Sequence, residues 1–316
     1  MPQIVTVTVN PSVDKSTQVE NVVAERKLRC ERPQWQPGGG GLNVARVVQR
    51  LGGSPLAMYL AGGPPGELLR ELLDEEELVQ EVIPISDKTR ESFAVRDKST
   101  NQQYRFSVPG PTVSESEWQA CLAALRELEP TPDYVVLSGG LAPGFPDDFY
   151  SRVAKWAQES GSRIILDTHD EPLRQGVKAG VFMLKPNLRE LRQLTGQDLE
   201  GEEAQRKALE RIVEEGKARY VVLSLGAAGA VFAGPVGTKR LRAPTVTIRS
   251  KVGAGDSMVG GIVWALAQDY SPLEAARFGV AAGSAAVKTP GTELCHREDA
   301  MALYEQIQEG ASAGQE

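Results

Sequence analysis

The stretch from Lys251 to Gly261 reads KVGAGDSMVGG. A glycine-rich turn running into an apolar helix presents free backbone N–H groups, an arrangement that favours an anion. The residue at the mouth of this helix, Asp256, is itself negative. Capping of the helix accounts for an aspartate there. A second account gives it chemistry. Beside an anion hole, a carboxylate can take the proton of an alcohol while the amides receive the charge of a transferred phosphoryl group.

Four further motifs bear on that choice. QPGGGGLNVARVVQRLGG at 36–53 places four glycines, Gly38 to Gly41, before an amphipathic helix. Its spacing is not the dinucleotide fingerprint, which needs a preceding strand and a third glycine in register. A plain turn needs one or two glycines, and four carry a large entropic cost. Close approach of Gly38, Gly39 and Gly40 to hydroxyl or phosphate oxygens explains the run, and Asn43 adds an amide that both donates and accepts. In KPNLRE (185–190), Asn187 and Glu190 are three apart and share the first turn of a helix. A capping box accounts for both; an oxygen-rich edge holding hydrated Mg²⁺ against nucleotide phosphates is the functional alternative. SLGAAGA (224–230) reads as strand, small turn, strand, as where backbone passes a nucleotide. A P-loop is excluded, because the Gly216-Lys217 pair is followed by Ala218. Asp14 in NPSVDK reads by itself as a surface turn acid, whereas Lys27, Arg29, Arg90 and Arg105 are cations on two irregular insertions. Each alone reads as a solvated charge; together, in a chain of net charge −7, they point to an anionic small-molecule substrate.

The elements that must position these residues follow from patterning. At 316 residues, 41% hydrophobic and 24% charged, the chain has the length and composition of one large α/β domain. The acidic balance speaks against a nucleic-acid partner, and no apolar run is long enough for a membrane helix or signal peptide. Three scattered cysteines argue against a disulfide framework and for a reducing cytoplasm. The two histidines have no cysteine or histidine cluster near them, so zinc is not expected, and His169 reads as a solvated loop residue. Strand-like segments at 4–9, 134–138, 163–167, 181–186 and 220–226 alternate with helical patterns at 41–52, 114–128, 146–160, 187–195 and 202–216. Such alternation predicts a mostly parallel sheet covered by helices, with ligands beyond the carboxyl ends of its strands. Residues 12–36 and 88–107 break the rhythm and predict a small separate β-sheet, a lid. Small open sheets seldom stand alone, so a second copy is expected to cover it, with Val19, Val22, Leu28, Phe93 and Val95 between subunits or over the ligand. The closing GASAGQE reads as a frayed tail.

NPSVD, PGGGGLNVAR, KPNLRE, SLGAAGA and VGAGDSMVGG, in this order, resemble the PfkB/ribokinase family of ATP-dependent sugar kinases over about residues 3–308. The resemblance implies a single ribokinase-like domain, a mostly parallel sheet sandwiched by helices with a small β lid. It implies that Gly253 to Gly255 form the anion hole and that Asp256 is the general base. TVTVNPSVD, KTRES (88–92) and YRF (104–106) resemble the phosphosugar branch. In that branch, 1-phosphofructokinases and tagatose-6-phosphate kinases carry a lysine where this chain has Gly40. KLRC (27–30) and FGVAAGSAA (278–286) resemble the phosphofructokinase-2 type instead. Phosphorylation of fructose 6-phosphate to fructose 1,6-bisphosphate is thereby implied. The alternatives are fructose 1-phosphate or tagatose 6-phosphate as acceptor, or a non-catalytic sensor on the same fold. By the same likeness Asp14, Gly38, Gly39, Gly40 and Asn43 hold the sugar. Arg90 holds its phosphate, with Lys27 reaching across a homodimer, and Arg29, Arg105 and Ser138 are nearby. Lys185, Asn187, Ser224, Gly226, Gly229 and Ser284 face ATP, and Glu190 joins Asn187 in the Mg²⁺ network. A monovalent cation, usually K⁺, is implied near Ser250, Val252, Ala286 and Gly291, although Thr289 and Glu293 depart from the expected residues there.

Overall fold

In the computed structural model, residues 3–289, 291 and 293–313 are described. Thirteen strands follow in chain order: β1 (Ile4–Thr8), β2 (Ser12–Val19), β3 (Gln34–Gly38), β4 (Pro55–Ala61), β5 (Val79–Pro84), β6 (Arg90–Asp97), β7 (Gln103–Phe106), β8 (Tyr134–Ser138), β9 (Arg163–Asp167), β10 (Val181–Leu184), β11 (Ala218–Ser224), β12 (Ala230–Gly234) and β13 (Gly237–Leu241). The helices are α1 (Gly40–Arg50), α2 (Gly63–Glu75), α3 (Glu115–Arg126), α4 (Phe149–Ser160), α5 (Asp170–Gly176), α6 (Leu188–Thr195), α7 (Gly201–Glu214), α8 (Ala254–Ala267), α9 (Pro272–Ala286) and α10 (Arg297–Ala313). A nine-stranded sheet runs β13-β12-β11-β10-β9-β8-β1-β4-β5, and β3-β2-β6-β7 form a second sheet. The large sheet is parallel except where β12 pairs with β11 and β13. This is the α/β architecture expected.

Both faces of the large sheet are apolar, as buried parallel strands require. In β8, Val135 and Leu137 join one core while Tyr134 and Val136 join the other. The first core packs against α3, α4 and α7, and the second against α1, α8, α9 and α10. Helix α8 is buried from Ser257 to Ala267. An apolar helix of that kind must sit between neighbours rather than on a surface. It runs between α1 and α9, and glycines set its depth. A Cβ at Gly260 would lie 2.5 Å from Val47 Cγ1, and one at Gly261 2.7 Å from the Ala282 Cβ. No helix among the described residues is long and apolar enough to cross a membrane.

The lid is narrower than the sequence pattern suggests. Strands occupy 12–19 and 34–38, while 20–33 is an irregular connection carrying Lys27 and Arg29. The alternation expected there lacks a partner: β2 already has β3 on one side and β6 on the other. Residues 88–107 do give the β6–β7 hairpin. Val19 and Val95 are buried within this one chain and need no second copy to cover them, unlike Phe93. The GASAGQE tail also differs from expectation. Helix α10 continues to Ala313, carried by the amphipathic segment before it, and 314–316 lie outside the described residues.

Candidate active site

Between the lid and the carboxyl ends of the large sheet lies a cleft of about 950 Å³. Its roof follows from strand register. Ser12 pairs with Arg90, Asp14 with Ser92 and Ser16 with Ala94, so alternate residues of β2 and β6 face one side together. Arg105, opposite Ala94 on β7, joins them. Of the residues expected to bind substrate, Asp14, Gly39, Gly40, Asn43, Arg90, Arg105 and Ser138 line this cleft. Gly38 lies behind it, where a Cβ would come 2.4 Å from Asp14 Oδ1. Lys27 and Arg29 are exposed on the 20–33 connection and do not line the cleft of their own chain. Arg90 is fixed by hydrogen bonds from Nη1 to Ser107 Oγ (3.1 Å) and from Nη2 to the Asn10 carbonyl (3.2 Å). Its buried Nε has no partner among the described residues. Burial pulls the guanidinium below its ordinary pKa, and Asp14 works in the opposite direction.

The floor is the start of α8. Gly253 adopts the left-handed conformation at the N-cap (φ 76°), which turns the chain into the helix and leaves its first amides without partners inside the helix; Gly253 and Asp256 line the cleft, and Ala254 and Gly255 do not. Asp256 stands in the first turn and accepts a hydrogen bond from Asn43 Nδ2 at 2.7 Å. Removal from water raises its pKa to about 6, and Asp167 adds to the rise; Asn43, Lys185 and Arg105 pull the other way. Lys185 Nζ lies 2.9 Å from Asp167 Oδ1, with side-chain exposures of only 6% and 13%. Burial disfavours the ammonium, but Asp167, Glu190 and Asp256 outweigh it and raise the lysine pKa. The pair spans the carboxyl ends of β9 and β10, directly beneath Gly255, whose Cβ position is 3.8 Å from Lys185 Nζ.

Asn187 and Glu190 form the capping box of α6. The Asn187 side chain accepts from the Glu190 amide at 2.9 Å, and Glu190 accepts from the Asn187 amide at 2.8 Å. Glu190 nevertheless lines the cleft, and burial raises its pKa. One residue thus serves cap and cleft together. Asn187 bridges to Ser224, whose amide donates to the Pro186 carbonyl. Lys185, Asn187, Ser224, Gly226 and Gly229 therefore gather at the ends of β10 and β11. Ser284 is buried in α9 with its hydroxyl donating to the Val280 carbonyl at 2.7 Å, and it does not line the cleft.

Two hydrogen-bonded groups of oxygen atoms lie around Ser250 and around Thr289. Ser250 Oγ donates to the Gly291 carbonyl, and the Val252 amide donates to Ser250 Oγ at 3.2 Å. Thr289 Oγ1 lies 2.7 Å from the Ala286 carbonyl and 2.8 Å from that of Glu293. The Glu293 carboxylate turns elsewhere, to His296 Nε2 at 3.0 Å. Of the two departures noted in the sequence, Thr289 thus supplies a hydroxyl and Glu293 a backbone carbonyl to the second of these groups.

Asp167, Thr168, Ser92, Arg189 and Lys251 also line the cleft and were not singled out from sequence, and Phe93, expected between subunits or over the ligand, lines it too. Asp167 and Thr168 had one signal, a strand ending in polar residues. His169, expected in solvent, stands at the rim, its side chain 55% exposed and paired with Asp170 at 2.7 Å.

Fold and site together define a kinase that transfers phosphoryl to a carbohydrate hydroxyl. A family model, pfkB family carbohydrate kinase, matches residues 7–299, and the chain belongs to that family. It is 42% identical over 315 residues to the ATP-dependent 6-phosphofructokinase isozyme 2 of Mycobacterium tuberculosis, spanning 100% of this chain and 93% of the relative. It is also similar to phosphofructokinase-2 from Escherichia coli in complex with potassium, at 38% identity and a TM-score of 0.94, covering 98% of this chain and 100% of that one. The same Escherichia coli protein in complex with fructose-6-phosphate gives a TM-score of 0.92 at the same coverage and identity.

Proposed function

We propose that the protein transfers the γ-phosphoryl group of ATP to the 1-hydroxyl of fructose 6-phosphate, giving fructose 1,6-bisphosphate. The observation that carries this reading is the Asp256 carboxylate at the mouth of α8, opposite a roof of Asp14, Arg90 and Arg105. In this account Asp14, Gly39 and Asn43 hold the sugar hydroxyls, and the guanidinium of Arg90, which lines the cleft, meets the 6-phosphate. Asp256 takes the proton of the attacking hydroxyl, and the amides of Gly253 to Gly255 receive the charge that develops on the phosphoryl oxygens. ATP lies over the ends of β10 and β11, its phosphates toward Lys185. Among the described residues no group of three or more His, Cys, Asp or Glu comes together. Mg²⁺ held near Glu190 and Asn187 would therefore take its other ligands from water and phosphate, and would supply charge neutralisation there. The oxygen atoms around Ser250, Ala286, Thr289 and Gly291 suit a hard monovalent cation.

The reading includes a homodimer through the lids. Trp35, Phe93, Tyr104 and Phe106 are 37–57% exposed on the small sheet, and a second copy would cover them and bring its Lys27 toward the neighbour's phosphate. All three cysteines are free, which fits a reducing cytoplasm.

The test is a panel of ATP and Mg²⁺ with fructose 6-phosphate, fructose 1-phosphate and tagatose 6-phosphate, with ADP release followed for each. The highest kcat/KM is expected with fructose 6-phosphate. Preference for another sugar, or binding without turnover, would overturn the assignment.

A further inference from the structure

Arg46 follows Asn43 by one helical turn on α1, and its side chain is only 4% exposed. The guanidinium is divided between two tasks. Nε and Nη2 form a fork onto Glu76, 2.7 Å to Oε2 and 2.6 Å to Oε1. Nη1 turns back to Asn43 Oδ1 at 3.3 Å and to the Pro37 carbonyl at 3.4 Å. The other end of the Asn43 amide is the group that donates to Asp256.

We propose that Arg46, anchored by Glu76, is a positioning residue that fixes the Asn43 amide so that its N–H, and not its oxygen, faces the Asp256 carboxylate. The orientation follows from chemistry on both sides. A guanidinium only donates and a carboxylate only accepts. The reversed amide would set its NH₂ against Nη1 and its oxygen against Asp256, replacing two attractions with two repulsions. Without Arg46, only the carboxylate end of this selection remains, and the amide is free to turn toward a bound sugar hydroxyl. The Asp256 hydrogen bond then weakens and the base holds its proton more tightly. Glu76 is the second member because it fixes the plane of the fork; a bidentate pair resists rotation where a single contact does not. The Pro37 carbonyl ties the same guanidinium to lid strand β3, at the edge of the glycine run. The charged groups acting on Asp256 are Asp167 from the end of β9, Lys185 from β10 and Arg105 from β7. Arg50, one turn further along α1, is a neighbouring cation that repels Arg46. None of them touches the Asn43 oxygen in the described hydrogen bonds, so Arg46 alone among these cations sets its direction.

This inference rests on Asp256 being the general base, so one readout is independent of activity. Aspartate ¹³Cγ resonances are titrated in the ligand-free protein, with the Asp256 signal identified by its loss in Asp256→Asn. Arg46→Met is expected to raise the Asp256 midpoint by about half a unit to one unit. Arg46→Lys, which keeps a donor but loses the fork, should fall between. In turnover, Arg46→Met should lose about 3- to 8-fold in kcat near pH 5.5 and come within about twofold of the parent by pH 8, while the KM for ATP changes less than about twofold. A merely structural role would lower kcat by one factor at every pH and leave the midpoint where it was, and that result would overturn the proposal. Should the lone Glu76 carboxylate prevent Arg46→Met from folding, Arg46→Met with Glu76→Gln removes both charges together and carries the same expectation. A parent protein that fails to phosphorylate any sugar would refute the functional reading, while the titration would still decide the role of Arg46.

Discussion

Asn43 and Asp256, 213 residues apart in the chain, meet in a 2.7 Å hydrogen bond because α1 and α8 pack with almost no space between them. Val47 lies one turn beyond Asn43, and Gly260 one turn beyond Asp256. A Cβ at Gly260 would overlap Val47. The contact that sets the helix spacing is thus a turn away from the pair that would do chemistry. Gly260→Ala should destabilise the fold by about 1–3 kcal/mol through overpacking. It should also lower kcat by about tenfold by moving Asn43 from the base. Urea denaturation and initial rates measured on the same preparation check both; a normal rate at reduced stability would separate packing from positioning.

Activity and stability should respond to pH in opposite directions. As the proposed base, Asp256 would work only when ionised, so kcat at saturating sugar should fall as pH drops below about 6. Its folded pKa is raised from 3.8, so between those values the folded state holds a proton that the unfolded chain has released. The stability contributed by this group is full below about pH 4 and is lost as pH rises through 6. Asp256→Asn should therefore be more stable than the parent at pH 8, by about 1–3 kcal/mol. Chemical denaturation of both at pH 8 reads the difference, and a less stable variant would mean that the carboxylate is well solvated.

Arg90→Ala removes a partner proposed for the sugar phosphate, so the KM for the phosphosugar should rise by about 10- to 100-fold. The KM for ATP should change little, because Arg90 lies on the lid. Equal effects on both substrates would point to a lid that no longer folds.

Phe93 stacks on Phe106 at a centroid distance of 6.5 Å, and both remain substantially exposed. A charge placed there, Phe93→Asp, should give monomers with weakened phosphosugar binding and normal ATP binding. Sedimentation measures the mass; an unmodified protein that sediments as a fully active monomer would exclude the lid dimer.

Much of this arrangement could be read in the sequence, and the parts that could not share a cause. VGAGDS announces itself because the proposed anion hole and base lie within a few residues on one helix start. The strands at 134–138 and 163–167 were legible to the residue, since each is a short apolar run closed by polar groups. Asp167 was visible only as such a strand end. Its role comes from Lys185 on the neighbouring strand, a relation made by sheet order. Ser92 depends on register with Asp14, which no local pattern states. The 20–33 connection was misread as strand because alternation alone does not reveal that both edges of β2 are already paired.

The measurement that bears most directly on the central claim is turnover of Asp256→Asn with ATP and fructose 6-phosphate, alongside its affinity for ATP. The amide keeps the shape and can still hydrogen-bond, but it cannot accept the hydroxyl proton. A fall in kcat of about two to four powers of ten with ATP affinity within about threefold of the parent is the predicted result. Turnover within a few-fold of the parent would contradict the account, because the carboxylate at the mouth of α8 would not then be the base.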